Sequence, residues 1–209
     1  MSSDKKIAII NYHMGNLRSV EKAFQKIGVI AIITNDHREI KSADKIVLPG
    51  VGAFNEGMEK LKELKLIDPL EEAVLENKKF FLGICLGMQL LGTKSYETEE
   101  TPGLNWIEGD VVKFNVKDLK VPHVGWNNIF YTRKNFLFQN IPDQTDFYFV
   151  HSYHFRPDIK DTLSQTNYGI DFTSSVNRDN IYGCQFHPEK SQKFGFEMLK
   201  NFANLKNDE

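Results

Sequence analysis

Phe80-Phe81-Leu82-Gly83-Ile84-Cys85-Leu86-Gly87-Met88-Gln89-Leu90-Leu91 is the stretch that decides how this chain folds. Its apolar run up to Gly83 predicts a buried strand, and the run after Cys85 predicts an amphipathic helix. Between them lies Gly-x-Cys-x-Gly, the thiol form of a nucleophile elbow, in which small residues let a strand turn tightly into a helix. Such a turn exposes the sulfur at a helix start, where unpaired backbone N–H groups favour a thiolate. A free cysteine is more often an inert small hydrophobe. The flanking glycines, not the cysteine alone, carry the reading.

Upstream, strand and helix signals alternate. Ile7-Ala8-Ile9-Ile10 is a short continuous apolar run of the kind buried on both faces of a parallel sheet. Asn16 can cap a helix whose apolar residues Leu17, Val20, Phe24 and Ile27 recur at helical spacing, with Gly28 at its end. Val29 to Thr34 and Lys45 to Leu48 read as strands. Phe54 to Asn77 reads as two helical stretches broken near Lys65-Leu66. This alternation predicts an α/β fold with a doubly wound sheet, whose ligands bind beyond the carboxyl ends of the strands. Both Cys85 and the turn Pro49-Gly50-Val51-Gly52 fall there, so the two turns should be neighbours.

Downstream the pattern changes. Thr93 to Pro102 is polar and acidic, and Gly103 to Tyr153 is rich in β-branched and aromatic residues, with turn signals at Gly109, Asn127-Asn128 and Pro142-Asp143. This half predicts shorter, more antiparallel strands against the main sheet. A last strand over Ile181–Phe186 precedes a helix from about Gln192 to Leu205, with Ser191 as its cap. Without repeats or a Pro/Gly/Ser-rich linker, the 209 residues are expected to form one domain, 1–209.

Composition narrows the function. A net charge of −2 gives no electrostatic reason to expect nucleic acid or an anionic membrane as partner. No apolar run reaches the length that spans a bilayer. Met1-Ser2-Ser3-Asp4-Lys5-Lys6 lacks signal-peptide features, so the cytoplasm is expected. Two cysteines, Cys85 and Cys184, are too few for a disulfide scaffold.

A cysteine nucleophile needs a base, and Gly183-Cys184-Gln185-Phe186-His187-Pro188-Glu189-Lys190-Ser191 supplies His187. Residues two apart in an extended segment point the same way. Glu189 can therefore fix the imidazole tautomer and leave the other ring nitrogen for the thiol. Cys184, in an apolar strand beside Phe186, reads as structural. Glycines at 50 and 52 let backbone N–H groups face a ligand; one of these, with the N–H of Leu86, could form an oxyanion hole. A dinucleotide-binding loop fits poorly, because the third glycine is missing and the loop follows a later strand. His151 and His154, at i, i+3 in a strand-like segment, should lie on opposite faces, and no metal or cofactor is expected. Lys113, Lys117 and Lys120 read as a solvated edge.

Gly-Ile-Cys-Leu-Gly-Met-Gln-Leu-Leu together with Gln-Phe-His-Pro-Glu-Lys-Ser closely resembles the class I (triad) glutamine amidotransferases. Three further stretches, Leu48 to Phe54, Pro122-His123-Val124-Gly125-Trp126-Asn127 and Tyr148-Phe149-Val150-His151-Ser152-Tyr153, with Met14-Gly15-Asn16-Leu17, are similar to the branch of glutaminase subunits serving imidazole glycerol phosphate synthases. The resemblance covers nearly the whole chain. It implies a flavodoxin-like, doubly wound mixed sheet and hydrolysis of glutamine to glutamate and ammonia through a glutamyl thioester. Cys85 would be the nucleophile, His187 the base and then acid, and Glu189 the orienting carboxylate. Gln89 and Glu97 would bind glutamine, with Tyr148, Ser152 and Tyr153 nearby and Gly50, Val51 and Gly52 as a mobile oxyanion strand beside Leu86.

The resemblance also implies a partner. Ammonia released into water is protonated and lost, so it requires shielded delivery, here to a (β/α)8-barrel cyclase subunit in a heterodimer. His123, Trp126, Asn127 and Lys190 would face that subunit. The chain departs from the family pattern at Asn11-Tyr12-His13, where Asp-Tyr-Gly is usual, and at Val124, where methionine is usual. These departures leave the ammonia acceptor open: a related branch feeds a barrel that amidinates surface or nucleotide-linked sugars. A silent regulatory partner of a barrel enzyme and a stand-alone cysteine hydrolase are the other readings.

Overall fold

The computed structural model describes residues 6–206, so the reading of Met1–Lys5 as lacking a leader lies outside the described residues. Strands β1 (Lys6–Ile10), β2 (Ile30–Thr34), β3 (Lys45–Gly50) and β4 (Phe80–Cys85) run parallel in the order β2-β1-β3-β4. They alternate with α1 (Leu17–Lys26), α2 (His37–Ser42), α3 (Phe54–Glu63) and α4 (Ile67–Glu71), the last running into a π-helical turn over Glu72–Glu76. The Asn16 side chain accepts from the Ser19 N–H at the start of α1, and Gly28 takes φ 76 beyond its end, as the cap signals require. The expected break before Leu66 falls at Lys65, whose φ is 53. Helix α2 had no periodic signal to announce it; its mark is Asp36, whose carboxylate accepts from the Arg38 N–H.

Side-chain parity divides the core. Ile7, Ile9, Val47, Leu82 and Ile84 pack on one face of the sheet with Phe24, Met198 and Phe202. Ala8, Ile10, Ile46, Leu48 and Phe81 pack on the other with Met58, Leu61 and Leu70. Burial on both faces is why these strands read as unbroken apolar runs, each large side chain contributing about 1.5–3 kcal/mol.

The helix after Cys85 is much shorter than its sequence implies: α5 covers only Leu86–Gln89. Every residue from Leu86 to Gly92 is buried, so the segment has no solvent face along which a helix could continue. Instead, Leu90 O accepts from the Leu104 N–H (2.8 Å) and Leu91 O from those of Trp106 (3.0 Å) and Ile107 (3.1 Å), so a loop replaces further helical turns.

The second half is the antiparallel region expected. Short strands β5 (Lys94–Ser95) and β6 (Thr101–Pro102) join β7 (Gly109–Lys113) and β11 (Tyr153–Pro157) in a four-stranded sheet. Strand β8 (His123–Asn128) pairs with β10 (Asp146–His151). Asn127-Asn128 therefore lies within a strand rather than in the expected turn. Strands β9 (Phe130–Tyr131), β12 (Thr162–Asn167), β13 (Asp171–Arg178) and β14 (Ile181–Cys184) extend the main sheet to eight, and β14 returns parallel beside β4. Helix α6 (Gln192–Asn204) follows. Ser191 makes no side-chain cap on it; its Oγ donates to His187 O (2.6 Å) and accepts from the Tyr148 N–H (3.0 Å).

Candidate active site

Pairing of β3 with β4 sets Gly50 opposite Cys85, so the glycine turn and the elbow are the neighbours the topology predicts. Cys85 has φ 54 and ψ −107, a strained conformation for a residue with a Cβ. The glycines make the crossing possible. A Cβ on Gly87 would lie 1.8 Å from Leu48 O, and one on Gly83 would lie 2.5 Å from Gly87 O. The Cys85 side chain ends in a pocket of about 70 Å³ lined by Val51, Gly52, Leu86, Gln89 and Val150 to Tyr153.

Across the β4–β14 junction stands His187. Its Nδ1 is 2.8 Å from Glu189 Oε1, with both side chains 3% exposed. Burial pulls the imidazole pKa down. The Cys85 sulfur and then the Glu189 carboxylate outweigh it, so the ring is pushed up to about 10. Nε2, the nitrogen left over, has no hydrogen-bond partner in the strict geometric sense among the described residues. The coupling of His187 to the sulfur is thus chiefly electrostatic in this geometry. Cys184 is fully buried, and burial raises its thiol pKa, in keeping with a structural part.

Other expected site residues divide into two groups. Val51, Gly52, Leu86, Gln89, Ser152 and Tyr153 line the pocket, whereas Gly50 is not in its lining and pairs with Cys85 at the end of β3. The Gln89 amide is committed internally: Nε2 donates to Tyr153 O (2.9 Å) and Gln185 Oε1 (2.9 Å). Glu97 stands one layer back, its Oε2 accepting from the Phe54 N–H (2.7 Å) at the start of α3 while its main-chain O accepts from Tyr153 Oη (3.1 Å). Tyr148 belongs to the outer surface, where its ring contacts those of Trp126 and, through a cation–π contact, Lys190.

Of the residues expected to face a partner, Trp126 is 48% exposed and Lys190 is exposed. Asn127 is half-buried. His123 is placed differently: it is buried, stacked on Tyr168 at 4.0 Å, because alternation along β8 turns residues 123, 125 and 127 inward. His151 and His154 do not point apart as expected. The strand breaks at Ser152, and both rings pack against Phe114.

Two residues were missed. Gln185 is fully buried and its Nε2 donates to Cys85 Sγ (3.6 Å). Its signal was available, since it lies two residues before His187 in the extended approach to the site. Tyr12, the second, is buried without a hydrogen-bond partner among the described residues, and its Oη occupies the space a Gly50 Cβ would need, 2.0 Å away. Burial and the nearby Cys85 raise its pKa well above the phenol range.

Residues 8–205 match the family described as Glutamine amidotransferase class-I. The Imidazole glycerol phosphate synthase subunit HisH 1 of Campylobacter jejuni (strain 81-176) is 48% identical over 200 residues, covering 95% of this chain and 100% of that one. Subunit HisH 2 of Methanococcus maripaludis is 50% identical over 198 residues, covering 94% and 98%. In fold, the chain is similar to a solved glutamine amidotransferase (TM-score 0.74, 17% identity, 95% and 99% covered). It is likewise similar to PurLQS from Thermotoga maritima (TM-score 0.73, 15% identity, 97% and 99% covered). A family match spanning the strand-elbow-helix core and the His187 segment, with near-half identity to full-length relatives, settles the membership: this chain belongs to the class-I glutamine amidotransferases.

Proposed function

We propose that the chain is the glutaminase subunit of an imidazole glycerol phosphate synthase, acting in the cytoplasm in histidine biosynthesis. The observation that carries the reading is the elbow cysteine at the mouth of a small pocket, electrostatically coupled to a buried imidazole whose far nitrogen a carboxylate holds. The names of the full-length relatives support the synthase assignment.

The Cys85 proton passes to His187 first, and Cys85 Sγ then attacks the side-chain carbonyl carbon of glutamine. The oxyanion that forms is met by the Leu86 N–H and by an N–H of the Gly50–Gly52 strand. His187, held by Glu189, returns the proton to the departing nitrogen, and ammonia leaves with a glutamyl thioester behind. Water, deprotonated by His187, then splits the thioester to glutamate and free thiol. Among the described residues no helix is long and apolar enough to cross a membrane.

The ammonia acceptor is a (β/α)8-barrel cyclase subunit docked as a heterodimer over the strip of Val124, Trp126 and Tyr148. Val124 is 55% exposed there, and Val51, 42% exposed, lines the pocket together with Val150, the register partner of Val124. Glutamate release, measured with and without the barrel subunit and its ligand, tests the whole reading. Stimulation by the barrel is expected, with Cys85→Ala inactive yet still binding it. Hydrolysis that ignores the barrel, or an active Cys85→Ala variant, would refute it.

A further inference from the structure

Two hydrogen-bond chains meet at the main-chain carbonyl of Tyr153. The first begins at Asn127, whose Oδ1 accepts from the Asn128 N–H (2.9 Å) and whose Nδ2 donates to Asn167 O (2.9 Å). These two bonds fix which end of the amide faces inward. Nδ2 lies 3.3 Å from His123 Nε2, His123 Nδ1 lies 3.1 Å from His151 Nε2, and His151 Nδ1 lies 2.8 Å from Tyr153 O.

A carbonyl only accepts, so His151 carries its hydrogen on Nδ1. Neutral imidazole has one N–H, which leaves Nε2 as the acceptor for His123 Nδ1–H. His123 Nε2 is then the acceptor for Asn127. Every donor in the row meets an acceptor. Adding a proton to either ring would set two N–H groups against each other, because neither backbone end can reverse. Rings of Phe114, Phe149, Tyr168 and Phe172 surround the pair. Burial lowers the pKa of His123 to about 4 and that of His151 to about 3, which agrees with the neutral forms.

The second chain runs from the same carbonyl toward the sulfur. Tyr153 O also accepts from Gln89 Nε2, which donates in turn to Gln185 Oε1, and Gln185 Nε2 donates to Cys85 Sγ. Tyr153 closes the Val150–Tyr153 wall of the pocket, and Val150 O itself lies 3.9 Å from Cys85 Sγ.

We propose that His123 and His151 are positioning residues, a one-directional relay of neutral imidazoles that holds the Val150–Tyr153 wall and the Gln89 amide in place for substrate. The kinetic consequence rests on the glutaminase reading; the proton arrangement does not. Long-range 1H–15N spectra of the histidine-labelled chain at pH 7 test the arrangement directly. Both rings are expected to carry hydrogen on Nδ1 and a bare Nε2. An Nε2–H tautomer or an imidazolium at either ring would overturn the relay.

Kinetics of the complex with its barrel partner test the consequence through two complementary variants. His123→Phe keeps a ring against Phe114 and Tyr168 but removes the donor to His151. His123→Asn gives up the ring but keeps an N–H donor at the place of Nδ1. His123→Phe should raise KM for glutamine about tenfold, with kcat within about threefold, and His123→Asn should restore most of the KM despite a lower melting temperature. A KM that follows the ring instead of the donor, or that neither variant moves, would overturn the positioning role. If the unaltered complex released no glutamate, the glutaminase reading would fail, and the spectra would still decide the relay. They decide it equally if His123→Phe does not fold.

Discussion

His187 Nδ1 and Glu189 Oε1 are 2.8 Å apart, with both side chains 3% exposed, so the imidazole has one nitrogen committed before any substrate arrives. With Nδ1 facing the carboxylate, Nε2 is the ring nitrogen left for Cys85. In the same surroundings the His187 pKa is raised rather than lowered by its burial, because the sulfur and the carboxylate together outweigh desolvation.

Replacing the carboxylate by an amide tests that contact. Glu189→Gln keeps the shape but can present an N–H to Nδ1 and so favour the wrong tautomer. Glutamate release by the complex should fall about 10²–10⁴-fold, mainly in kcat. A loss under threefold would remove Glu189 from the mechanism.

The raised pKa of His187 also makes a statement about stability. A folded-state value of about 10 against an unfolded value near 6.5 means the native state binds the extra proton between those limits. The stabilisation is fully present below about pH 6.5 and is lost as pH rises toward 10, at no more than about 1.4 kcal/mol per pH unit. Urea unfolding of the parent and of His187→Gln across this range should give a difference that shrinks with pH. A difference that is flat or grows would contradict the assignment.

Tyr12 Oη and the Gly50 backbone occupy mutually exclusive space. Gly50→Ala places a Cβ 2.0 Å from the hydroxyl and 3.0 Å from Leu86 Cβ. It should cost about 1–3 kcal/mol and at least tenfold in glutaminase activity. Tyr12→Phe removes an unpartnered buried hydroxyl and should be neutral or stabilising by about 1 kcal/mol. In the double mutant the cost of Gly50→Ala should fall, a coupling that a thermodynamic cycle measures. Strict additivity would mean the two residues do not compete.

Trp126 is half-exposed on β8 with its ring edge toward Tyr148. Trp126→Ala should leave stability within about 0.5 kcal/mol, yet weaken binding of the barrel subunit by about 2 kcal/mol or more, roughly thirtyfold. Calorimetric titration of the two subunits reads this directly. Unchanged affinity would move the interface elsewhere.

Much of this was legible along the chain. The unbroken apolar runs at Ile7–Ile10, Ile46–Leu48 and Phe80–Ile84 declared strands buried on both faces, and Asn16 and Gly28 marked the ends of α1. Helix α5 was overestimated because apolar residues at helical spacing also fit a segment enclosed on all sides, where a loop around Leu104–Ile107 takes the last carbonyls. Helix α2 is too short for periodicity to reveal.

The sequence alone determined the local chemistry of two motifs, Cys85 on a tight strand-to-helix turn and Glu189 against His187, because an elbow glycine pair and a His-x-Glu spacing are local patterns whose geometry follows from a few backbone dihedrals. What surrounds that chemistry was decided only in three dimensions. His123, expected with Trp126 to face a partner, turns into the core because strand alternation sends residues of odd and even position to opposite faces. Gln185 meets Cys85 and His123 meets His151 across 100 and 28 residues. Which residues meet across such separations is set by sheet register and core packing; the spacing of Gln185 from His187 gives its side of the strand but not its partner.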